Sequence, residues 1–146
     1  MSTDENKALV RRWFAETDRG NDGIIDELCA PEYVDHSPPI PGMGDGSAAV
    51  RQANATLRAA FPDTVHTVED QIAEGDKVVT RLRARATFTG ECLGIPPNGK
   101  VVEITGISIH RIANGKLLEH WANFDSFSFM QQLGVVPIPE DQAAAH

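Results

Sequence analysis

The sequence predicts an α+β domain in which N-terminal helices pack on one face of a curved antiparallel sheet, and three observations carry that prediction. Apolar residues recur at helical intervals through roughly the first 60 residues. From Val65 onward the period changes to two, the signature of strands with one covered and one wet face. The second half also holds a two-residue hairpin signal, Asn114-Gly115, between two alternating runs.

Each element follows from local chemistry. Ser2 and Glu5 have capping-box spacing, and Leu9, Val10, Trp13 and Phe14 then mark one face of a helix that runs to the turn at Gly20. Ile24, Ile25 and Leu28 share a face of a short helix from Ile24 to Cys29, ahead of Pro31. Glu32 to Ser37 reads as extended, and the Pro- and Gly-rich stretch from Pro38 to Gly46 reads as an ordered loop or flap. Ser47 is positioned to cap a second long helix lined by Val50, Ala53, Leu57 and Phe61, with Pro62 as its stop. Strands are expected from Val65 to Ile72, from Lys77 to Thr89, from Lys100 to Ile112 and from Lys116 to Phe124. In the second of these Leu82, Ala84, Ala86 and Phe88 face one way, and Arg81, Arg83, Arg85 and Thr87 the other. A last helix from Ser126 to Leu133 ends at Gly134. Residues 1–136 are expected to form a single domain and residues 137–146 a loose tail.

Composition narrows the function. With 146 residues the chain is long enough for one domain with a real core. The 13 Lys and Arg against 21 Asp and Glu give a net charge of −8, which opposes a phosphate-tracking surface, so neither nucleic acid nor an anionic membrane is an expected partner. No apolar run approaches the roughly 20 residues of a membrane-spanning helix, and the first residues are acidic where a secretory leader is basic, so a cytoplasmic location is expected. Cys29 and Cys92 have no CxxC spacing and suggest two buried thiols.

The segment from Gly115 to Asp125 carries the most chemistry. As a strand it projects Glu119, Trp121, Asn123 and Asp125 from one face, an aromatic wall beside an amide and a carboxylate. A carboxylate enclosed by Trp121, Phe124 and Phe127 would be costly to ionise and suited to proton exchange. Asp125 has an equally weighted second reading as the N-cap of the helix that begins at Ser126. His110 closes the preceding strand on the parity of Ser108 and Gly106, and the hairpin folds it back toward Trp121, where it reads either as a proton partner of Asp125 or as a surface histidine. His36 stands at the entrance to the Pro/Gly loop, as a pocket-mouth residue or one bonded to backbone. His120 has the opposite parity to Trp121 and is left out of the pocket, while His66 and His146 are expected to face solvent. No HxH or HExxH spacing supports a metal, and no GxSxG, GxGxxG or P-loop element supports a nucleophile or a bound cofactor, so cofactor-free acid/base chemistry is expected. Arg81, Arg83 and Arg85 read as a solvated face or an oligomer contact.

Several segments together are specific: Gly75-Asp76-Lys77-Val78-Val79, Thr87-Phe88-Thr89-Gly90-Glu91, the run from Gly94 to Lys100, Gly115-Lys116-Leu117-Leu118-Glu119-His120-Trp121, and Asp125 with Gln132-Leu133-Gly134. Through them residues 75–134 resemble the SnoaL-like polyketide cyclase, or ester cyclase, family of the nuclear transport factor 2-like superfamily. The N-terminal half resembles it through its two long helices and Tyr33-Val34-Asp35-His36. The resemblance implies a cone of curved antiparallel sheet closed by helices. It also implies closure of the last ring of an aromatic polyketide methyl ester by intramolecular aldol condensation without a cofactor. Asp125 is then the general acid/base, His110 its polar partner, and His36 and Ser108 hold the substrate. Many relatives carry histidine where this chain has Phe88, which implies a more apolar pocket. The resulting expectation is Asp125 and His110 as catalytic residues, with His36, Ser108, Trp121, Asn123, Phe88 and Phe124 binding a small hydrophobic carbonyl compound, in a homodimer or higher symmetric oligomer. The competing expectations are a binding protein without catalysis, and a hydroxylase or dehydratase using the same pocket.

Overall fold

A computed structural model describes residues 2–137, so nearly all of the expected tail lies outside the described residues. The elements are α1 (Thr3–Asp18), α2 (Gly23–Leu28), β1 (Cys29–Asp35), α3 (Ser47–Ala60), β2 (Val65–Glu74), β3 (Lys77–Thr87), β4 (Val101–Ala113), β5 (Lys116–Phe124) and α4 (Ser126–Leu133). Helix α1 opens with the expected capping box: the Ser2 hydroxyl accepts from the Glu5 amide at 3.1 Å, and the Glu5 carboxylate accepts from the Ser2 amide. Its buried face, Leu9, Val10 and Trp13, packs with Ile24, Ile25 and Leu28 of α2 against Val78, Ile112 and Leu117 of the sheet. Full burial of such side chains stabilises by about 1.5–3 kcal/mol each, which ties both helices to one end of the sheet. The expected cap of α3 is shifted by one residue. Ser47 is the first helical residue and Gly46 precedes it, its amide donating to the Tyr33 carbonyl at 2.7 Å so that the loop returns onto β1.

The five strands lie in the order β1-β5-β4-β3-β2. From β2 to β5 the sheet is an antiparallel meander, and Asn114 and Gly115, with φ of 52° and 72°, make the tight β4–β5 turn that needs two left-handed residues. The expectation of a wholly antiparallel sheet is corrected at one edge, where β1 pairs parallel to β5 with Asp35 opposite His120. The short helix α2 delivers the chain to that edge earlier than expected, at Cys29, because Cys29 and Ala30 are themselves buried. Register breaks in β1, β2 and at Arg111/Ile112 bend the sheet around the helices. At the other end β3 stops at Thr87, whose amide and hydroxyl both donate to Asp63, and Phe88 turns into a second cluster with Phe61, Val102 and Leu133. Helix α4 joins that cluster through Leu133 and closes this end.

Candidate active site

Three cross-strand rows define the inner face of the sheet: Val78–His110–His120, Thr80–Ser108–Ala122 and Leu82–Gly106–Phe124. That this face lies under the helices follows from two contacts of α1. The Gln71 side-chain amide donates to the Lys7 carbonyl at 3.2 Å, and the Phe14 ring meets the His110 ring edge-on with centroids 6.0 Å apart. Thr80, Ser108 and His110 are each no more than 2% exposed. Among the described residues Ser108 Oγ, His110 Nδ1 and Gln71 Oε1 have no hydrogen-bond partner. Leaving a buried polar group unpaired costs about 1–3 kcal/mol, so three on one inner face mark a place where a ligand's polar groups would be stabilising. Ser108 and His110 are two residues apart on one strand and so aim a hydroxyl and an imidazole in the same direction.

Burial holds the His110 imidazole well below its ordinary value of 6.5, and the neighbouring His120 acts in the same direction. His110 is therefore neutral at physiological pH, with one ring nitrogen able to accept a proton. The His120 ring lies 4.6 Å from it, tilted by 30°, and its Nδ1 is 3.0 Å from Asp35 Oδ1. Sequence parity separated His120 from Trp121 correctly, but it was Trp121 that faced away from the helices. Asp35 was missed for a different reason: its approach to His120 depends on the parallel β1–β5 pairing. The parity of Ser108 and His110, carried across the Asn114-Gly115 turn, was the signal that could have found His120.

The expected site residues divide into three groups. His110, Ser108 and Phe124 stand on the inner face, where the Phe124 ring covers Gly106 so closely that a Cβ there would lie 2.2 Å from it. Trp121 and Asn123 project from the outer face, opposite Ile109 and Ile107. His36 joins them: its ring stacks on Trp121 at 4.8 Å and 8°, and its Nε2 lies 3.0 Å from Glu119 Oε2. Arg111 donates to the same Glu119 carboxylate at 2.6 Å and, with His36, holds it below the usual carboxylate range. Phe88 is fully buried and stacks on Phe61 at 5.2 Å, so it fills the core rather than lining an opening.

Asp125 is placed differently from the expectation of an enclosed carboxylate. Its side chain is solvent-exposed and caps α4, accepting the Ser128 amide at 3.0 Å, while its own amide donates to the Thr105 carbonyl. Thr105 precedes His110 by five positions on β4, a separation of about 17 Å at strand rise, so the expected proton sharing between Asp125 and His110 is not formed. Asp125, Asn123 and Trp121 instead border a depression on the outer face with Arg81, Arg83 and Ile107. Burial pushes the Cys29 thiol up to about 12 and raises that of Cys92, so neither is poised as a nucleophile. Among the described residues no group of three or more His, Cys, Asp or Glu side chains is arranged to hold a metal, and no helix is long and apolar enough to cross a membrane.

The chain is similar to known proteins in sequence and in fold. A family model described as SnoaL-like polyketide cyclase matches residues 8–133. The chain is 29% identical over 126 residues to nogalonic acid methyl ester cyclase of Streptomyces nogalater, covering 84% of this chain and 92% of that protein. It is 30% identical over 139 residues to aklanonic acid methyl ester cyclase DauD of Streptomyces sp. strain C5, covering 90% of this chain and 84% of that protein. Among solved structures, TsrD from Streptomyces laurentii superposes with a TM-score of 0.83 at 27% identity, over 93% of this chain and 99% of that one.

Proposed function

Because the chain belongs to the SnoaL-like polyketide cyclase family, we propose that it closes a ring in a polycyclic carbonyl compound by intramolecular aldol chemistry, using the inner face of the sheet. The observation that carries this reading is the pair of unpartnered buried groups, Ser108 Oγ and His110 Nδ1, side by side on that face. Neutral His110 takes a proton from the carbon next to an ester carbonyl, and the Ser108 hydroxyl donates to the enolate oxygen that develops. The enolate carbon attacks a second carbonyl of the same molecule, forming the new carbon–carbon bond, and the imidazolium returns its proton to the resulting alkoxide. Electrons and protons balance within the substrate, so the cycle calls for no cofactor. Phe124 supplies an apolar wall over Gly106. The relatives' names point to aromatic polyketide methyl esters as the substrate class.

A second reading places the base at Asp125. It is favoured by the depression that Asp125 borders with Asn123 and Trp121, and it assigns substrate contact to the outer face, with His36 behind Trp121. The outer face also exposes Ile72 and Ile107 to one side of the ion pairs of Arg83 with Glu69 and Glu103, a mixed surface that supports pairing with a second copy of the chain. Two unpaired buried thiols fit a reducing compartment, and we place the enzyme in the cytoplasm.

The test is incubation with nogalonic or aklanonic acid methyl ester, followed by mass spectrometry and chromatography of the product. Aldol closure gives an isomer of unchanged mass with a new retention time. Gain of one oxygen identifies a hydroxylase, loss of water a dehydrating enzyme, and binding without any product a carrier.

A further inference from the structure

Asp35 and His120 belong to neither the expected site nor the mechanism above, yet they sit beside it. Asp35 Oδ1 lies 3.0 Å from His120 Nδ1 and also accepts the Ser37 amide at 2.9 Å. The backbone holds the pair from both sides: the His36 amide donates to the His120 carbonyl at 2.9 Å, and the Ala122 amide donates to Ser37 Oγ at 2.9 Å. An ionised carboxylate only accepts hydrogen bonds, so the imidazole atom facing it carries the proton. His120 is thereby fixed with hydrogen on Nδ1 and, when neutral, a free lone pair on Nε2. Its ring is 4.6 Å from that of His110, and its side chain is 15% exposed, so it is neither sealed in the core nor out on the surface. The same carboxylate borders a narrow apolar crevice of about 20 Å³ beneath the Pro/Gly loop, lined by Tyr33, Pro38, Met43, Val50 and Ala53. The pair therefore stands between that apolar crevice and the unpartnered groups of Ser108 and His110.

We propose that His120 is a second proton-handling group of the inner-face site and that Asp35 is its positioning residue, holding the Nδ1–H tautomer so that Nε2 serves as the basic atom. The proposal rests on the inner-face reading of the function. A carboxylate behind an imidazole in this way fixes the ring's orientation and its tautomer.

Two measurements on the full chain test it. Long-range proton–nitrogen correlation spectra of nitrogen-15-labelled protein at about pH 7.5 read the tautomer of each of the five histidines, assigned through single His→Gln variants. His120 is expected to show a protonated Nδ1 and a bare Nε2 in the native chain and in Asp35→Asn, whose amide oxygen still accepts. In Asp35→Ala the hydrogen is expected to move to Nε2 in most molecules. In turnover, His120→Gln and Asp35→Ala are each expected to lower kcat at least about tenfold, with KM within about twofold of the native value, and Asp35→Asn, which keeps the tautomer, to hold kcat within about threefold. A native His120 with hydrogen on Nε2 overturns the pairing, and full turnover by His120→Gln overturns its catalytic use. A fixed tautomer in a native chain that turns over no methyl ester overturns the cyclase reading and the proton-handling role together, and leaves only the pairing. The native tautomer and His120→Gln keep the test decisive where Asp35→Ala fails to fold, and loss of turnover in a folded Asp35→Asn with its tautomer intact overturns the role given to Asp35.

Discussion

A neutral imidazole 2% exposed and lacking a partner at Nδ1 is a costly residue to keep, and His110 makes that cost measurable through pH. Its value in the folded chain lies well below the ordinary 6.5, so between the two the unfolded chain binds more protons. The stability this contributes is fully present above about pH 6.5 and is lost as pH falls toward the folded value. Thermal unfolding is expected to move to lower temperature as pH drops below 6.5, and His110→Gln is expected to flatten that dependence. A slope unchanged in the variant would locate the titrating group elsewhere. Glu119, held below its ordinary 4.5 by Arg111 and His36, acts in a separate window: its contribution is present above 4.5 and fades only below it. Asp125 makes a simpler claim at this scale. Asp125→Ala removes the α4 cap and is expected to cost about 1 kcal/mol in denaturant unfolding, whereas Asp125→Asn costs a few tenths at most.

Strand parity and strand pairing carry different amounts of the fold, and β4 and β5 show the difference. Alternation along each strand placed Leu82 and Ala84 opposite Arg81 and Arg83, and Trp121 opposite His120, as the structure has them. Which face of β5 meets the helices is not a local property. It depends on register across the Asn114-Gly115 turn, and His110 opposite His120 fixes it. The parallel entry of β1 was invisible for a related reason, because a pairing between residues 29–35 and 117–120 is set by how α2 and the Pro/Gly loop route the chain. Phe88 illustrates the limit for aromatic residues: its parity was legible, but its burial against Phe61 arises from α3 and the loop meeting at the sheet's end. Gly106 was read only as a parity partner of His110, although the structure needs it where Phe124 crosses β4. Gly106→Ala is therefore expected to displace the Phe124 ring and cost about 1–3 kcal/mol, and Phe124→Leu is expected to relieve most of that in a double-mutant cycle. Additive losses would show that the two do not touch in solution.

At the scale of the whole molecule, the helices cover one face of the sheet and leave the other bearing arginines, acids and isolated apolar side chains. If that outer face joins two copies, light scattering of the native chain should report twice the 15.8 kDa chain mass, and Ile107→Glu should return it to one. A native monomer would remove the outer face from the account of assembly. The acidic balance of −8 argued against a phosphate-tracking surface, yet it was silent about which acids matter. The structure redistributes them: Asp125 caps a helix at the rim, while Asp35, without emphasis in the sequence, reaches the inner face through a neighbouring strand. The central claim is that proton transfer belongs to the imidazole on the inner face rather than to the carboxylate that caps α4. The most direct measurement is kcat for His110→Gln and Asp125→Asn on one polyketide methyl ester, with circular dichroism confirming that both variants fold. The account predicts a loss of at least about a hundredfold for His110→Gln and a change within about twofold for Asp125→Asn. The reverse pattern, with Asp125→Asn inactive and His110→Gln near native, would contradict it.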